Sequence, residues 1–262
     1  MGRIICVANQ KGGVGKTTTA VNLAAAVAAG KRKVLLADLD PQGNATMGVG
    51  VDKHQLLHTT CDALLGEHSL GEVLLKAEAA GLDLLPANSD LTAAEVYLLE
   101  HEGGSQRLKT LLAPLRDHYD YLIIDCPPSL NMLTLNALVA ADGVLIPMQC
   151  EYFALEGLSA LMDTIRQIQS GPNPGLVVEG ILRTMFDPRN NLANEVSAQL
   201  VGHFGDQVYR TIIPRNVRVA EAPSHGQSVL QYDKASRGAV SYLSLAGEFT
   251  NRIEQRNRAA KK

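Results

Sequence analysis

The glycine-rich stretch at residues 11–18, with the sequence KGGVGKTT, constrains the fold of this 262-residue chain more than any other segment. It follows an apolar run at 4–8 that is typical of a buried strand, and it precedes an alanine-rich run at 20–27 that is typical of a helix. Such a turn forms a cradle for phosphate, because backbone N–H groups and the positive N-terminus of the helix point at one anionic centre. The sequence therefore predicts a phosphate-binding loop.

The residues of this loop have separate expected roles. Lys16 would reach the β- and γ-phosphates of a nucleotide, and the Thr17 hydroxyl would ligate Mg²⁺. The ordinary Walker A pattern has a glycine at the position of Gln10, so that pattern is not satisfied here. A glycine-rich turn with a solvated lysine is the alternative interpretation. The predicted nucleotide-binding residues of the loop are Lys11, Gly12, Gly13, Val14, Gly15, Lys16, Thr17 and Thr18.

Carboxylates follow two other apolar runs. Residues 34–37 lead into Asp38 and Asp40, and residues 121–124 lead into Asp125. The carboxyl ends of parallel strands line the ligand crevice of an open α/β sheet, so these side chains are expected beside the phosphate loop. Asp125 has the setting of a Walker B aspartate, which binds Mg²⁺ or one of its waters. The alternative is an aspartate that caps a turn.

Strand-like and helix-like patterns alternate along the rest of the chain. This alternation predicts one domain over residues 1–262 with an α/β fold, namely a doubly wound, mostly parallel sheet with helices on both faces. Further strands are predicted at 82–86, 143–147, 176–182 and 208–213, and helices at 60–65, 70–77, 105–115, 154–169, 192–204 and 236–256.

The formal net charge of −3 conceals an asymmetry. Residues 252–262 carry five basic residues against Glu254, a local charge of +4, which leaves −7 for residues 1–251. We therefore expect a basic, polar C-terminal tail from about residue 252. Because the rest of the chain is acidic, any contact with DNA must come from a local basic patch.

No run of about eighteen apolar residues is present, and the N-terminus enters the first strand without the pattern of a signal peptide. A cytoplasmic protein is expected. His54 and His58 are four residues apart, but the pattern offers no third ligand, which favours a solvated surface over a metal site. Four widely spaced cysteines are expected to be reduced and packed as small hydrophobes. They are Cys6, Cys61, Cys126 and Cys150.

The lysine-first loop resembles the deviant Walker A box of the ParA/MinD/NifH group of P-loop ATPases. Other segments resemble the bacterial ParA/Soj branch of partition ATPases, and the resemblance extends from Met1 to about Ala246. These segments are DLDPQGNAT at 38–46, DCPPS at 125–129, PMQCEYFALEGL at 147–158, IPRNVR at 213–218 and EAPSHG at 221–226.

The resemblance implies a P-loop NTPase fold, ATP or ADP with Mg²⁺ as cofactors, and a homodimer that forms on ATP binding. Lys11 matches the signature lysine that crosses into the partner subunit and touches its phosphates. Asp40 matches the aspartate that orients the attacking water. Pro214 and Asn216 match the segment that recognises adenine.

The resemblance also implies a function. The ATP-bound dimer would bind nucleoid DNA without sequence preference and segregate a chromosome or plasmid, and a ParB/Spo0J-type partner with a basic N-terminal segment would stimulate its hydrolysis of ATP. Arg189, Arg215 and Arg218 are the candidate DNA contacts. Lys234 and Arg237 are weaker matches, because their segment lacks a proline common in relatives. The alternative for each arginine is a solvated charge or an intramolecular ion pair.

Three other functions fit less well. A MinD-like membrane-associated positioning ATPase needs a C-terminal amphipathic helix, and residues 252–262 offer only Ile253 as an apolar residue of any size. An iron–sulfur reductase needs suitably placed cysteines, whereas Cys126 lies among prolines. A scaffold without ATPase activity is disfavoured because the residues needed for hydrolysis are present. Those residues are Lys16, Thr17, Asp40 and Asp125.

Overall fold

In the computed structural model, which describes residues 2–259, eight strands form a single sheet. The strands are β1 (Arg3–Val7), β2 (Val34–Asp38), β3 (Leu75–Ala77), β4 (Leu82–Leu85), β5 (Tyr121–Asp125), β6 (Gly143–Gln149), β7 (Val177–Phe186) and β8 (Val208–Pro214). Their order across the sheet is β3-β4-β2-β5-β1-β6-β7-β8, and β3 alone is antiparallel to its neighbour. The predicted mostly parallel, doubly wound sheet is confirmed.

The connections between the strands are largely helical. The α-helices are α1 (Lys16–Ala29), α2 (Asn44–Gly48), α3 (Thr60–Leu65), α4 (Leu70–Val73), α5 (Leu91–Glu100), α6 (Arg107–Leu112), α7 (Met132–Ala140), α8 (Ala154–Ser170), α9 (Asn191–Phe204), α10 (Val217–Glu221), α11 (Val229–Tyr232) and α12 (Arg237–Ala259).

The helices cover both faces of the sheet, and β1 illustrates how. Its side chains alternate: Ile4 and Cys6 belong to a core that includes residues of α7 and α8, whereas Ile5 and Val7 belong to a core that includes residues of α1 and α12. Both faces of the strand are therefore buried, which explains why its sequence is a continuous apolar run rather than an alternating one.

The predicted helix at 70–77 is wrong in its second half. Helix α4 ends at Val73, and Leu75–Ala77 forms β3, which pairs antiparallel with β4. Leu, Lys and Ala all have good helix propensity, so the strand arises from tertiary pairing at the sheet edge rather than from local preference. The helix predicted at 105–115 is shorter than expected, because α6 is flanked by 3₁₀ turns at Gly104–Gln106 and Ala113–Asp117. Helices α2, α5, α7, α10 and α11 were not predicted from the sequence.

The segment predicted as a polar tail from about residue 252 continues α12 as far as Ala259. Ile253 is buried, and the Arg252 guanidinium donates hydrogen bonds to the backbone carbonyls of Asp206 and Val208. The basic residues 261 and 262 lie outside the described residues. Over residues 2–259, no helix combines the length and apolar character needed to cross a membrane. All four cysteines are free and buried.

Candidate nucleotide-binding site

The glycine-rich loop lies between the end of β1 and the start of α1, as predicted. Gly13 and Gly15 have φ values of 74° and 85°, in the left-handed region that residues with a Cβ rarely adopt. Gly15 caps α1 without a side-chain hydrogen bond, so the first N–H groups of the helix remain available to a ligand. A free helix N-terminus behind a glycine loop binds anionic oxygens.

Lys16 begins α1 and is buried, with 6% of its surface exposed. Its Nζ donates a hydrogen bond to the carbonyl of Lys11 at 3.0 Å, which folds the side chain back over the loop. Burial lowers the pKa of Lys16, while the negative charges of Asp125 and Asp40 act in the opposite direction. An ammonium group among carboxylates, with a backbone carbonyl as its hydrogen-bond partner, is well placed to bind phosphate oxygens.

Val14 supplies an anchor that the sequence did not reveal. Its carbonyl accepts a hydrogen bond of 2.8 Å from the Thr184 hydroxyl on β7, and both residues are buried. The two residues are 170 positions apart in the chain, so no local pattern could indicate this contact. It ties the phosphate loop to the sheet.

Lys11 points away from this cradle. Its backbone N–H donates to the Asn9 side chain at 3.0 Å, and its side chain, 45% exposed, forms an ion pair with Glu151. Asn9 is itself held by a 2.7 Å hydrogen bond from Nδ2 to the Pro147 carbonyl. The loop backbone is thus fixed, while the ammonium of Lys11 lies at the surface. Glu151 was not among the predicted site residues.

Asp38 and Asp125 are adjacent at the carboxyl edge of the sheet, in register on β2 and β5. Both are fully buried. Asp38 accepts hydrogen bonds from the N–H of Asp40 at 3.0 Å and from the N–H and hydroxyl of Thr46, each at 2.8 Å. Burial raises the pKa of Asp38 to about 6, although these hydrogen bonds oppose the shift. Its carboxylate therefore organises the loop that carries Asp40.

Asp125 has a different environment. Both of its carboxylate oxygens are buried without a hydrogen-bond partner in the part of the chain that the structure describes. Burial, followed by the charge of Asp38, raises its pKa well above the usual range, and the nearby Thr17 hydroxyl, which does not meet hydrogen-bond geometry, and the Lys16 ammonium act in the opposite direction. Buried carboxylates without donors need a compensating charge, and hard cations prefer oxygen ligands. The predicted pair Thr17 and Asp125 therefore fits Mg²⁺.

A cavity of about 450 Å³ joins most of the predicted nucleotide-site residues, whereas Lys11, Val14 and Asp125 do not line it. Its volume is typical of small-ligand sites. Asp40 lies at its wall, and Asn216 caps α10 there by accepting a hydrogen bond from the Val219 N–H at 3.2 Å. The predicted residues that line it are Gly12, Gly13, Gly15, Lys16, Thr17, Thr18, Asp40, Pro214, Arg215 and Asn216, and the unpredicted ones include Pro128, Thr184, Met185 and Tyr242.

The predicted DNA contacts are distributed differently. Arg215 lines the nucleotide-sized cavity. Arg189 is exposed and forms a two-point ion pair with Asp187, with N–O distances of 2.9 and 2.7 Å. Arg218 is also exposed; it lies 2.9 Å from a carboxylate oxygen of Glu221 and 3.4 Å from one of Asp233. Arg189 and Arg218 therefore have intramolecular partners, which was the alternative considered for each arginine.

A glycine loop at the first strand of a doubly wound sheet, with carboxylates on the adjoining strand ends, defines the P-loop class of nucleotide-binding proteins. A family profile described as an AAA domain matches residues 2–178. The chromosome partitioning protein ParA of Myxococcus xanthus is 53% identical over 96% of this chain and 89% of its own. The sporulation initiation inhibitor protein Soj of Bacillus subtilis is 50% identical over 95% of this chain and 98% of its own.

Among solved structures, cobyrinic acid a,c-diamide synthase from Mycobacterium smegmatis, with a bound ATP analogue and magnesium, has a TM-score of 0.82 and 39% identity. The alignment covers 94% of this chain and 93% of that protein. Together with the two relatives above, this places the chain in the ParA/Soj family within the ParA/MinD P-loop ATPases.

Proposed function

We propose that this chain is an ATP-dependent partition switch. Its ATP-bound sandwich dimer binds DNA non-specifically and hydrolyses ATP to ADP and phosphate, and it drives chromosome or plasmid segregation with a ParB/Spo0J-type partner. The observation that carries this proposal is the single cavity that joins the phosphate loop to Asp40, Pro214 and Asn216. It occurs in a chain that is 50% or more identical to two partition-family proteins.

In this proposal the phosphate loop binds the nucleotide, and one loop residue shares the metal with a carboxylate at the end of the neighbouring strand β5. Backbone N–H groups of the loop and the Lys16 ammonium bind the phosphates, while Thr17 and Asp125 hold Mg²⁺. When bound, Mg²⁺ neutralises charge on the phosphates. Pro214 and Asn216 lie on the wall of the same cavity, where adenine would contact them. The Mycobacterium structure, which holds an ATP analogue and magnesium, supports this assignment of cofactors.

Asp40 is the residue we assign to water orientation. It is 7% exposed at the cavity wall, and its Oδ1 accepts a hydrogen bond of 2.9 Å from the Gln42 N–H. This contact fixes the carboxylate and leaves Oδ2 to accept a hydrogen bond from a water. A carboxylate held within hydrogen-bond reach of a nucleophile can position it and accept its proton.

The exposed position of Lys11 supports a role in a second subunit. Its ion pair with Glu151 joins two side chains that are 45% and 43% exposed, and such surface pairs stabilise a fold by about 0–1 kcal/mol. Transfer of the ammonium to the phosphates of a partner subunit therefore costs little. The adjacent exposed aromatics Tyr152 and Phe153 give this surface an apolar character suited to an interface.

DNA binding by Arg189, Arg215 and Arg218 would use phosphate contacts. Arg189 is 89% exposed at its side chain despite its ion pair with Asp187, so a DNA phosphate can compete with that carboxylate. Contacts of this kind release counterions, and binding should weaken steeply with salt and show little base preference.

A MinD-like membrane-associated positioning ATPase is the alternative, and α12 argues against it. Most large apolar residues of this helix pack into the core, and only Val240 and Leu243 are exposed, which is too few for an apolar face that could enter a bilayer. The buried ones include Tyr242, Leu245, Phe249 and Ile253. The amide-forming activity named for the Mycobacterium structure has weaker support than partition, since that protein is 39% identical against 53% and 50% for the two partition-family relatives.

Phosphate release from ATP, measured with and without DNA and the cognate ParB-type protein, tests this proposal. We expect slow turnover by the chain alone, stimulation when both are added, and loss of turnover in Asp40→Ala. Asp163→Ala is the matched control, because Asp163 is an exposed carboxylate on α8 whose partner is Arg166 on the same helix. Turnover that is unaffected by Asp40→Ala, or by DNA and partner together, would refute the proposal.

A further inference from the structure

The segment around α3 brings together metal-ligating side chains that lie apart in the sequence. His58, Asp62 and His68 each offer a ligand atom, and these atoms lie within 4.8 Å of one another. The two imidazole rings are tilted by 31°, with centroids 3.7 Å apart. His54, which is four residues from His58, is not part of this group. We propose that His58, Asp62 and His68 form a Zn²⁺ site, separate from the nucleotide-binding cavity.

Local backbone structure holds the three ligands in place. Thr59 caps α3, and Asp62 completes a capping box in which its Oδ2 accepts hydrogen bonds from the Thr59 N–H at 2.6 Å and the Thr59 hydroxyl at 3.1 Å. These bonds fix the carboxylate and leave Oδ1 for a metal. Gly66 then ends α3 in the left-handed conformation, with φ of 82°, and the turn returns the chain so that His68 meets His58.

Glu72 adds the outer partner that a ligating histidine usually has. Its Oε1 lies 3.6 Å from His68 Nδ1, while its Oε2 accepts hydrogen bonds from the N–H and hydroxyl of Ser69 at 2.8 and 2.7 Å. A carboxylate beside Nδ1 selects the tautomer in which Nε2 is free to bind a metal. Helix capping uses one oxygen of Asp62 and one of Glu72, and it leaves the other oxygen of each carboxylate without a capping role.

The ligand set indicates which metal binds. Two imidazoles and one carboxylate suit Zn²⁺, which takes such sets with a water as a fourth ligand. Zn–N and Zn–O distances of about 2.0–2.2 Å place tetrahedral ligand atoms roughly 3.3 Å apart. The imidazole rings now lie one over the other, so both rings of these partly exposed side chains would turn to aim a nitrogen at the metal.

A metal here would stabilise a segment that is connected to the nucleotide side of the sheet. The N–H and hydroxyl of Thr60 both donate to the Pro86 carbonyl at 2.8 Å. The following Ala87 N–H donates to the Thr46 hydroxyl at 2.9 Å, and that hydroxyl donates to Asp38. Zn²⁺ binding would therefore stiffen the chain from His58 towards the loop that follows β2.

Zinc titration of the tag-free full chain tests the site. The protein is stripped with EDTA, desalted and saturated with Mg²⁺, and Zn²⁺ is then titrated by calorimetry or against a chromophoric chelator. We expect one Zn²⁺ per chain. Glu72→Gln removes the outer partner of His68 and should weaken Zn²⁺ binding by about 10–100-fold. His68→Gln and His58→Gln should each weaken Zn²⁺ binding by more than that. His54→Gln is the matched control and should bind as the unmodified chain does.

Several results would overturn the proposal. They are absence of saturable binding in the unmodified chain, unchanged affinity in both His58→Gln and His68→Gln, or an equal loss in His54→Gln. If a histidine variant fails to fold by circular dichroism, Glu72→Gln keeps the test open, because Glu72 is exposed and unchanged affinity in that variant would count against the site. Substitution with Co²⁺ adds a further check, since thiolate charge-transfer bands would assign the metal to the cysteines instead.

Discussion

Replacement of either of two buried aspartates by asparagine should change the stability of the protein, and the two changes should have opposite signs. Asp125 has no hydrogen-bond partner for either oxygen among the residues described, whereas Asp38 accepts three hydrogen bonds from Asp40 and Thr46. We expect Asp125→Asn to stabilise the metal-free protein at about pH 8, because it removes the cost of burying a carboxyl group beside the charge of Asp38. Asp38→Asn should destabilise it.

The contacts set the size of both effects. An unsatisfied buried polar group costs about 1–3 kcal/mol, and more when it is charged. Asp125→Asn leaves a neutral polar group in the same shape, so only the extra cost of the ionisable group is recovered, and the free energy of unfolding should rise by about 1–3 kcal/mol. Asp38→Asn places an amide N–H₂ against a backbone donor and should lower it by about 1–3 kcal/mol. For a chain of this size, each 1 kcal/mol changes Tm by about 2–4 °C.

The pH dependence separates charge from packing. Burial raises the folded-state pKa of both groups, to about 6 for Asp38. A carboxyl group with a raised pKa binds its proton more tightly in the folded state, so stability falls as pH rises from about 4 through the folded-state pKa. Asp125→Asn removes the contribution of Asp125 to this fall. Its advantage should therefore grow with pH and disappear near about pH 4.

Thermal and urea unfolding of EDTA-treated protein, repeated across this pH range, measure both variants. Addition of Mg²⁺ and ATP should raise the Tm of the unmodified chain more than that of Asp125→Asn, because the variant has lost a metal ligand. If Asp125→Asn were less stable than the unmodified chain at every pH, or if both variants shifted in the same direction, burial of the Asp125 carboxyl group would not carry the cost that we assign to it.

Two further substitutions test contacts that anchor the site and the C-terminus. Thr184→Val leaves the buried Val14 carbonyl unsatisfied, so it should lower the free energy of unfolding in urea by about 1–3 kcal/mol and weaken nucleotide binding. The control Thr164→Val, at an exposed hydroxyl on α8, should change the free energy of unfolding by less than about 0.5 kcal/mol, and equal effects of the two changes would contradict the anchoring role. Arg252→Lys removes the guanidinium that donates to two backbone carbonyls and lies 4.3 Å from the centre of the Tyr209 ring, so it should lower the free energy of unfolding by about 1–3 kcal/mol in thermal unfolding. A change below about 0.5 kcal/mol would mean that residue 252 behaves as part of a solvated tail.

The central parts of the fold and site could be predicted because their signals are local. The apolar runs before the glycine loop, before Asp38 and before Asp125 each form buried parallel strands, and the carboxyl ends of these strands meet in register. Parallel strands that are buried on both faces leave a continuous apolar pattern, and the glycine positions reflect backbone conformations that other residues avoid. Short-range sequence patterns record both features.

The remaining features depend on contacts between distant parts of the chain. The ion pair of Lys11 with Glu151 spans 140 residues, and the hydrogen bond of Thr184 to Val14 spans 170. Strand β3 exists because β4 pairs with it, although its residues favour helix. Periodicity and spacing carry no information about such pairings. The histidines illustrate the same limit: the sequence pairs His58 with His54, while the turn after α3 brings it to His68.

The most direct test of the proposed switch is the molar mass of Asp40→Ala protein by light scattering with Mg²⁺ and ATP. We predict a shift from the 28.0 kDa monomer to twice that mass, because ATP binds and is not hydrolysed. Adding Lys11→Ala to this variant should abolish the shift and leave ATP binding by the monomer largely intact, whereas adding Lys16→Ala should impair ATP binding itself. A mass that stays at the monomer value with saturating ATP, or equal losses of monomer affinity in both lysine variants, would contradict the account.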